Sequence, residues 1–487
     1  MKEVTQELLD FAMQTKFEDL PATVIHESKR IILDSIAVAL AGLSIDKGKI
    51  MVNLARRLGG PPEASILGTG DRLSCANAAL ANGELMHAME YDNIMYPLTH
   101  VTPFVLAAPL AVAESLRSSG KELILATALA HEIPTRVAMG MDGWRSYIAE
   151  GPDAGKFVSS AFERPVVMGY GMNMFGGTVG AGRLLGLDRN QMANDLGIAG
   201  YIAPVPTSGK WGRTRKVGMA KFAPPGWMSH AEVTAAFLAE MGYTGDQTVL
   251  DGEHGFWRFS GSTAWNPDEV TRKLGEEWRF PNGTWYKKYP SGGIIHGALS
   301  CFNKIIEQNN LLPEDIDEVA VWPEHPHSIE MERFRAKEID SEIDAQFNTA
   351  YEVAAIAYRI PFDRWQNLDT IRNPRIKQFM QKVNSYIHPQ FSKAAGERKL
   401  LYRVARVEVK AKGKTFAEEG IWYKGRLFPD ENFPKESQQT DEELISKFRF
   451  HAAQILTSRQ VDKVPQAILH LEEVGNTAEL LQMVTRH

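Results

Sequence analysis

Cysteine is nearly absent from this chain: 487 residues hold only Cys75 and Cys301. Two thiols so far apart exclude a disulfide framework and a cysteine-built zinc site, and they suit a reducing compartment. No excess of one charge exists either. The 54 basic residues against 60 acidic ones leave a formal charge of −6, which carries no footprint for nucleic acid or an anionic membrane. Long apolar runs are missing too. The most apolar stretch, VTPFVLAAPLAVAESL, contains two prolines and is too short to span a bilayer. The N-terminal MKEVTQELLDFAMQTKFEDL is amphipathic and partly acidic. It has neither the apolar centre of a signal peptide nor the arginine-rich, acid-poor character of a transit peptide, so the expected location is cytoplasmic. No repeat and no low-complexity tract occurs, and RLFPDENFPKESQQ is the one evident linker. What remains is a globular composition, 44% hydrophobic and 23% charged, in a chain too long for one ordinary core. Two domains are expected.

The chemistry concentrates between residues 74 and 110, SCANAALANGELMHAMEYDNIMYPLTHVTPFVLAAPL. Ser74 reads as an N-cap and the alanine- and leucine-rich run behind it as a helix to about Glu90. His87 and Glu90, three apart, then share one helix face. The loop that follows carries Asp92, Tyr96, Thr99 and His100. A second helix is expected at once, with Thr102 as cap and Pro103 in its first turn. That places His100 just before a helix N-terminus, where the dipole favours anions and keeps an imidazole neutral. Histidine, carboxylates and an anion-friendly helix end together describe an acid–base site for an anionic substrate. The plainer reading of the same residues is a satisfied buried polar pair.

Helices are also expected over 4–15, 21–42 and 47–58, over 121–138 with a kink at Pro134, and over 176–203 as a pair split by Gly186-Leu187-Asp188 with Asp188 as cap. Residues 140–173 read as an irregular surface loop able to cover a pocket, with Trp144, Arg145, Tyr147 and Arg164. Gly177, Gly180 and Gly182 follow no strand, so they read as close helix packing rather than a dinucleotide loop. SGKWGRTRKVGMAKFAPPGW is the most basic run, with Lys210, Arg213, Arg215, Lys216 and Lys221. It reads either as a solvated loop or as a wall that binds carboxylates. From about residue 265 the texture changes: a helix over DEVTRKLGEEWRF, then PNGTWYKKYPSGGIIHGALS with a helix from Ile294, a strand over 316–324, a helix over 344–360, and two strands around Lys412-Gly413. His325 and His327 lie two apart without a carboxylate or cysteine cluster, so no metal site is read there. Helices return from Thr440.

Several of these segments resemble, in order, those of the MmgE/PrpD family. ALANGELMHAMEYDN…PLTHVTP, the preceding ASILGTGDRLS, GRLLGLD, and MAKFAPPGW with AAFLAEMGYTG are similar to family segments. Lys221 falls at the position of an active-site lysine, and Lys287, Tyr289 and His296 match a Lys-x-Tyr-Pro…His element. The chain departs from the pattern in lacking a His-x-Thr element within 140–173 and in having Pro224 where histidine is frequent. It also has Ser291-Gly292-Gly293 where members have a cysteine pair or, in cis-aconitate decarboxylase-like members, a histidine. Where the family tends to have Asp and Thr, this chain has Glu90 and Ile94.

The resemblance implies a mainly α fold: a large all-helical domain (1–265 and a return over 431–487) with an inserted smaller α+β lid (266–430), and a site between them. It implies a homodimer and cofactor-free chemistry, with no metal, on a small di- or tricarboxylate. The first expectation is a 2-methylcitrate dehydratase-like lyase that removes a proton next to a carboxylate. An iminodisuccinate epimerase-like isomerase and a non-catalytic relative are the alternatives. Lys221 and Lys287, with Arg213 or Arg215, would supply positive charge, and a neutral His100 would move the proton. Asp92 or Glu90 would orient it or serve as the partner acid, and Tyr289, His296 and His87 would complete the substrate wall.

Overall fold

Apolar side chains at helical spacing make the first part of the chain helical. In the computed structural model, which describes residues 3–95, 100–141, 170–205, 211, 218–262, 265–281, 284–323, 332–388, 404–421 and 439–486, the early helices are α1 (Val4–Gln14), α2 (Ala22–Gly42) and α3 (Asp46–Leu58). A short antiparallel ribbon follows, β1 (Ala64–Ser65) with β2 (Arg72–Leu73). Then come α4 (Cys75–His87), β3 (Ile94–Met95), α5 (Thr102–Val105), α6 (Ala107–Leu116) and α7 (Gly120–Gly140). The set continues with α8 (Met174–Leu185), α9 (Arg189–Ile202) and α10 (Pro225–Glu240). Asp188 caps α9 as expected, accepting from the Gln191 amide. Pro134 sits inside α7 without ending it.

The crossing of α4 and α10 positions the site. A Cβ on Gly226 would lie 2.0 Å from the Leu80 carbonyl oxygen, so only glycine lets the start of α10 lie against α4. Lys221, a few residues earlier, is thereby held over the end of α4.

A second hydrophobic core forms around a four-stranded sheet. After β4 (Thr284–Trp285) and α11 (His296–Gln308) come β5 (Ile316–Trp322), α12 (Thr349–Ala357), β6 (Val383–Ser385), β7 (Val404–Ala411) and β8 (Lys414–Ile421). The strand order is β6-β5-β7-β8, with β6 parallel to β5 and the other pairs antiparallel. Alternate residues Ala405, Val407, Val409 and Ala411 are buried with Phe302, Ile305 and Ile306 of α11. The β7–β8 turn has positive φ at Lys412 and Gly413, the twist a tight hairpin requires. The closing helices, α13 (Asp441–Ala452), α14 (Ser458–Leu469) and α15 (Thr477–Gln482), put Leu444, Phe448, Val464 and Leu481 into the first core. None of the described helices is long and apolar enough to cross a membrane.

The fold is mainly α, with these corrections to the elements read from sequence. The helix expected over 268–280 is only Pro267–Thr271, because Lys273 and Gly275 take positive φ and break it. The helix expected over 344–360 is split into Glu342–Ala345 and α12, with Asn348 capping the second. α4 ends at His87 rather than Glu90. Thr102 is the first residue of α5 and not its cap. Its hydroxyl donates to Asn93 Oδ1 at 2.5 Å instead. The pairing of β3 with β4, Ile94 opposite Trp285 and Met95 opposite Thr284, had no signal in either segment.

Gly226→Ala is expected to lower stability by about 2 kcal/mol, because the added methyl meets backbone that cannot move aside. Thermal unfolding beside the parent protein checks this, and an unchanged midpoint would refute the close approach.

Candidate active site

Three separate stretches converge on the turn after α4. Met89 and Glu90 leave the helix, and Glu90 takes a left-handed φ of 56°, which turns its carboxylate inward. The segment before α10 brings Lys221, itself at φ 51°. The β3–β4 pairing carries the chain after β4 alongside, and with it Lys287. Two non-glycine residues in this sparsely allowed region at one ion pair are a mark of a functional site.

The geometry is closed and charged. Glu90 Oε2 accepts from Lys221 Nζ at 2.8 Å, and Oε1 from Lys287 Nζ at 2.9 Å. Lys221 also donates to the His87 carbonyl at 3.2 Å and Lys287 to the Glu90 carbonyl at 2.7 Å. Asp92 joins two imidazoles: its Oδ1 lies 3.0 Å from His87 Nδ1, and its Oδ2 lies 2.6 Å from His100 Nδ1. The second nitrogen of His100 is 3.2 Å from Glu90 Oε1. Glu90, Asp92, His87, Lys221 and Lys287 are buried, and His100 is 6% exposed.

This arrangement decides the protonation states. Burial alone would push Glu90 and Asp92 up. For Glu90 the Lys221 and Lys287 ammoniums and His100 prevail, and for Asp92 the two imidazoles and Lys287, so both stay well below the carboxylate range. Burial disfavours a charged His100, yet Asp92 and Glu90 on its two nitrogens outweigh it and raise its pKa. The two carboxylates thus favour the protonated form of His100. Where a helix end was expected to favour a neutral His100, α5 is a single turn and the two carboxylates pull the other way. His87 is the neutral ring. Burial, then Lys221, lowers its pKa to about 3. With Nδ1 donating to Asp92, its Nε2 is a lone pair with no hydrogen-bond partner among the described residues. Burial also lowers Lys221 to about 8, aided by Lys47 and opposed by Glu90.

Other side chains complete the surroundings. Phe222 packs on both imidazoles, with ring centroids 5.1 Å from His87 and 5.0 Å from His100. Trp211 touches Phe222, and the Arg333 guanidinium lies 4.0 Å over its ring. His296 is buried, and burial with Lys287 pushes its pKa well below the usual value. Tyr289 packs against His296 at 5.3 Å, but its hydroxyl accepts from Ser300 at 3.4 Å within the second core. It is not gathered with the charged cluster. Arg213 and Arg215 lie outside the described residues, as do Tyr96, Thr99, Trp144, Arg145, Tyr147, Arg164, His325 and His327.

Sequence reasoning missed four contributors. Glu352 on α12 is fully buried, and burial holds its carboxyl well above the ordinary range, beside Ser291 and within the field of Lys287 and Glu90. Lys447 of α13 donates to Asp34 Oδ1 at 2.7 Å and to the Tyr91 carbonyl at 3.1 Å. Asn93 donates to the other Asp34 oxygen at 3.1 Å. The signal was an acid inside an apolar run, Asp34 in RIILDSIAVAL and Glu352 in AYEVAAIA, since such a carboxyl needs a partner or a proton.

Ligand atoms of His87, Asp92 and His100 lie within 4.8 Å of one another, a donor set able to take a transition metal. The geometry fits hydrogen bonding better. Each Asp92 oxygen already faces a ring nitrogen, and Lys287 Nζ stands 3.9 Å from Oδ1, where a second cation would be repelled.

A helical core and a small sheet core meeting at a buried lysine–carboxylate–histidine cluster are the frame of a defined class of proteins. The MmgE/PrpD N-terminal domain model matches residues 6–267, and the C-terminal domain model matches 289–473. The chain belongs to the MmgE/PrpD family. Among curated relatives it is similar to cis-aconitate decarboxylase of Homo sapiens, 24% identical with 99% of this chain and 95% of the relative covered. The Mus musculus protein of that name is also 24% identical, with 99% and 94% covered. That of Aspergillus terreus is 22% identical, with 99% and 96% covered.

Replacing Asp92 by Asn should lower the His100 pKa toward the usual imidazole value, because one of its two anionic partners is gone. Imidazole resonances followed by NMR against pH check this, and an unmoved titration would refute the assigned pairing.

Proposed function

We propose that this protein is a lyase of small di- or tricarboxylates that works by proton transfer at the carbon next to a carboxylate. The observation that carries the reading is one carboxylate shared by two imidazoles, His87 at 3.0 Å and His100 at 2.6 Å, with ring centroids 4.9 Å apart. Their surroundings push the His87 pKa down to about 3 and the His100 pKa up. Paired groups whose surroundings push their pKa values apart are the usual acid–base assignment. Lys221 and Lys287 supply fixed positive charge where a substrate carboxylate takes up electron density in the transition state. The cis-aconitate decarboxylase relatives support lyase chemistry on such acids.

In the dehydration first expected, a 2-methylcitrate-like hydroxy acid loses a C–H proton to a free imidazole nitrogen of the His87–His100 pair. The freed electron pair forms the alkene, the C–O bond breaks, and His100 protonates the departing hydroxyl to give water. In a decarboxylation the C–C bond to a carboxylate breaks, carbon dioxide leaves, and His100 protonates the carbon that keeps the pair. The same residues serve both, and the substrate decides which bond breaks. Glu352, held neutral, adds no negative charge to a site that receives an anion.

Proton NMR in D₂O with hydroxy, unsaturated and amino di- and tricarboxylic acids tests the reading. Loss of a C–H signal with a new alkene identifies a dehydratase, and carbon dioxide release identifies a decarboxylase. Exchange without either product would make the protein an epimerase, and silence across the panel would sink the lyase reading. On the substrate so found, His100→Gln should cost about 10²–10⁴ in kcat. Activity should fall as pH rises through about 8, where Lys221 loses its proton. Lys221→Arg should move that fall to higher pH, since a guanidinium stays charged.

A further inference from the structure

One carboxylate already holds the cationic seat, and it belongs to the protein. Glu90 Oε1 lies 2.9 Å from Lys287 Nζ and 3.2 Å from His100 Nε2, while Oε2 lies 2.8 Å from Lys221 Nζ. Two ammoniums and an imidazole around one carboxylate are what an anionic substrate would be recognised by. Among the described residues the other nearby ammoniums are also engaged: Lys47 stands 3.1 Å from Glu84 and Lys447 is 2.7 Å from Asp34. Bringing a further carboxylate to Lys221 and Lys287 with Glu90 in place would set like charges a few ångströms apart in a buried site. Glu90 reaches the seat only from a left-handed backbone, φ 56°. Each lysine also keeps a backbone carbonyl, His87 for Lys221 and Glu90 for Lys287. The lysines therefore stay anchored if the carboxylate turns away.

We infer that the Glu90 carboxylate is a resident occupant of the substrate-carboxylate seat, and that binding proceeds by exchange, the incoming carboxylate taking the lysines as Glu90 leaves. This rests on the reading of the seat given above. Its consequence is selectivity by carboxylate count. A monocarboxylate only replaces what is lost. A di- or tricarboxylate adds contacts beyond the seat and shifts the exchange in its favour. Every ligand binds more weakly than to an open seat, by the fraction of molecules in which Glu90 has left.

The test uses the full chain and binding alone. Glu90→Gly suits the left-handed backbone and opens the seat. Formate should raise its unfolding temperature, where chloride at equal ionic strength does not, and should leave the parent protein unmoved. Tricarballylate, followed by calorimetry, should bind Glu90→Gly about tenfold or more tighter than the parent. A folded Glu90→Gly that ignores formate, or a parent protein that formate stabilises equally, would overturn the inference. Should the glycine variant not fold, Glu90→Gln keeps the shape without the charge. It should also bind tricarballylate more tightly, and equal or weaker binding refutes the exchange. Because no arm needs turnover, a missing lyase activity beside formate rescue sinks only the catalytic reading. Turnover by the parent with no formate effect in the variant sinks only the exchange.

Discussion

The structure depends on the ion-pair network that Glu90 makes with Lys221, Lys287 and His100. Charges taken this far from water are costly unless each finds opposite charge and hydrogen bonds. Here every partner comes from a different part of the chain: the turn after α4, the loop before α5, the segment before α10 and the segment after β4. The network thus ties the helical core to the sheet core, beside other contacts such as the Gln346 amide on the Ala88 carbonyl and the Asp46 amide on Glu342. The last helices reinforce it, since Lys447 of α13 binds Asp34 on α2, the Tyr91 carbonyl on the turn after α4 and the Lys287 carbonyl after β4. A missing partner would leave a buried charge uncompensated, so chemistry and folding draw on the same contacts.

That coupling also explains how the pKa values of two histidines with similar burial are pushed in opposite directions. Both bind Asp92, and desolvation disfavours the charged form of both. His100 has a second carboxylate on its far nitrogen. His87 instead has Lys221 nearby, and its Nε2 is 4.0 Å from Glu90 Oε2. A single carboxylate placed toward one ring and an ammonium toward the other is enough to push the pKa values of two identical side chains apart. The neutral, buried Glu352 and His296 keep the remaining wall uncharged.

Much was legible in the sequence because it depends on local pattern. The 3.6-residue period gave α2 its buried stripe of Val24, Ile31, Ile32, Ile36 and Leu40, the alternation along 404–411 gave a half-buried strand, and Asp188 gave a helix start. Quoted motifs, not spacing, pointed to Lys221 and Lys287, which lie more than 60 residues apart in the chain and yet share one carboxylate. Elements whose limits are set by backbone turns were misjudged. The end of α4 is the clearest case, since Glu90 leaves the helix to meet lysines that no local rule could place beside it.

The sequence by itself determined the mainly α character, the family and the residues able to handle a carboxylate, because composition, period and motif are properties of neighbours along the chain. Folding in three dimensions set the opposite pKa shifts of the two imidazoles, gathered Lys221 and Lys287 on Glu90, and brought Asp34, Lys447 and Glu352 near them. Those outcomes follow from Coulomb interactions and desolvation, which depend on distance and burial in three dimensions. Neither quantity exists until the chain has folded.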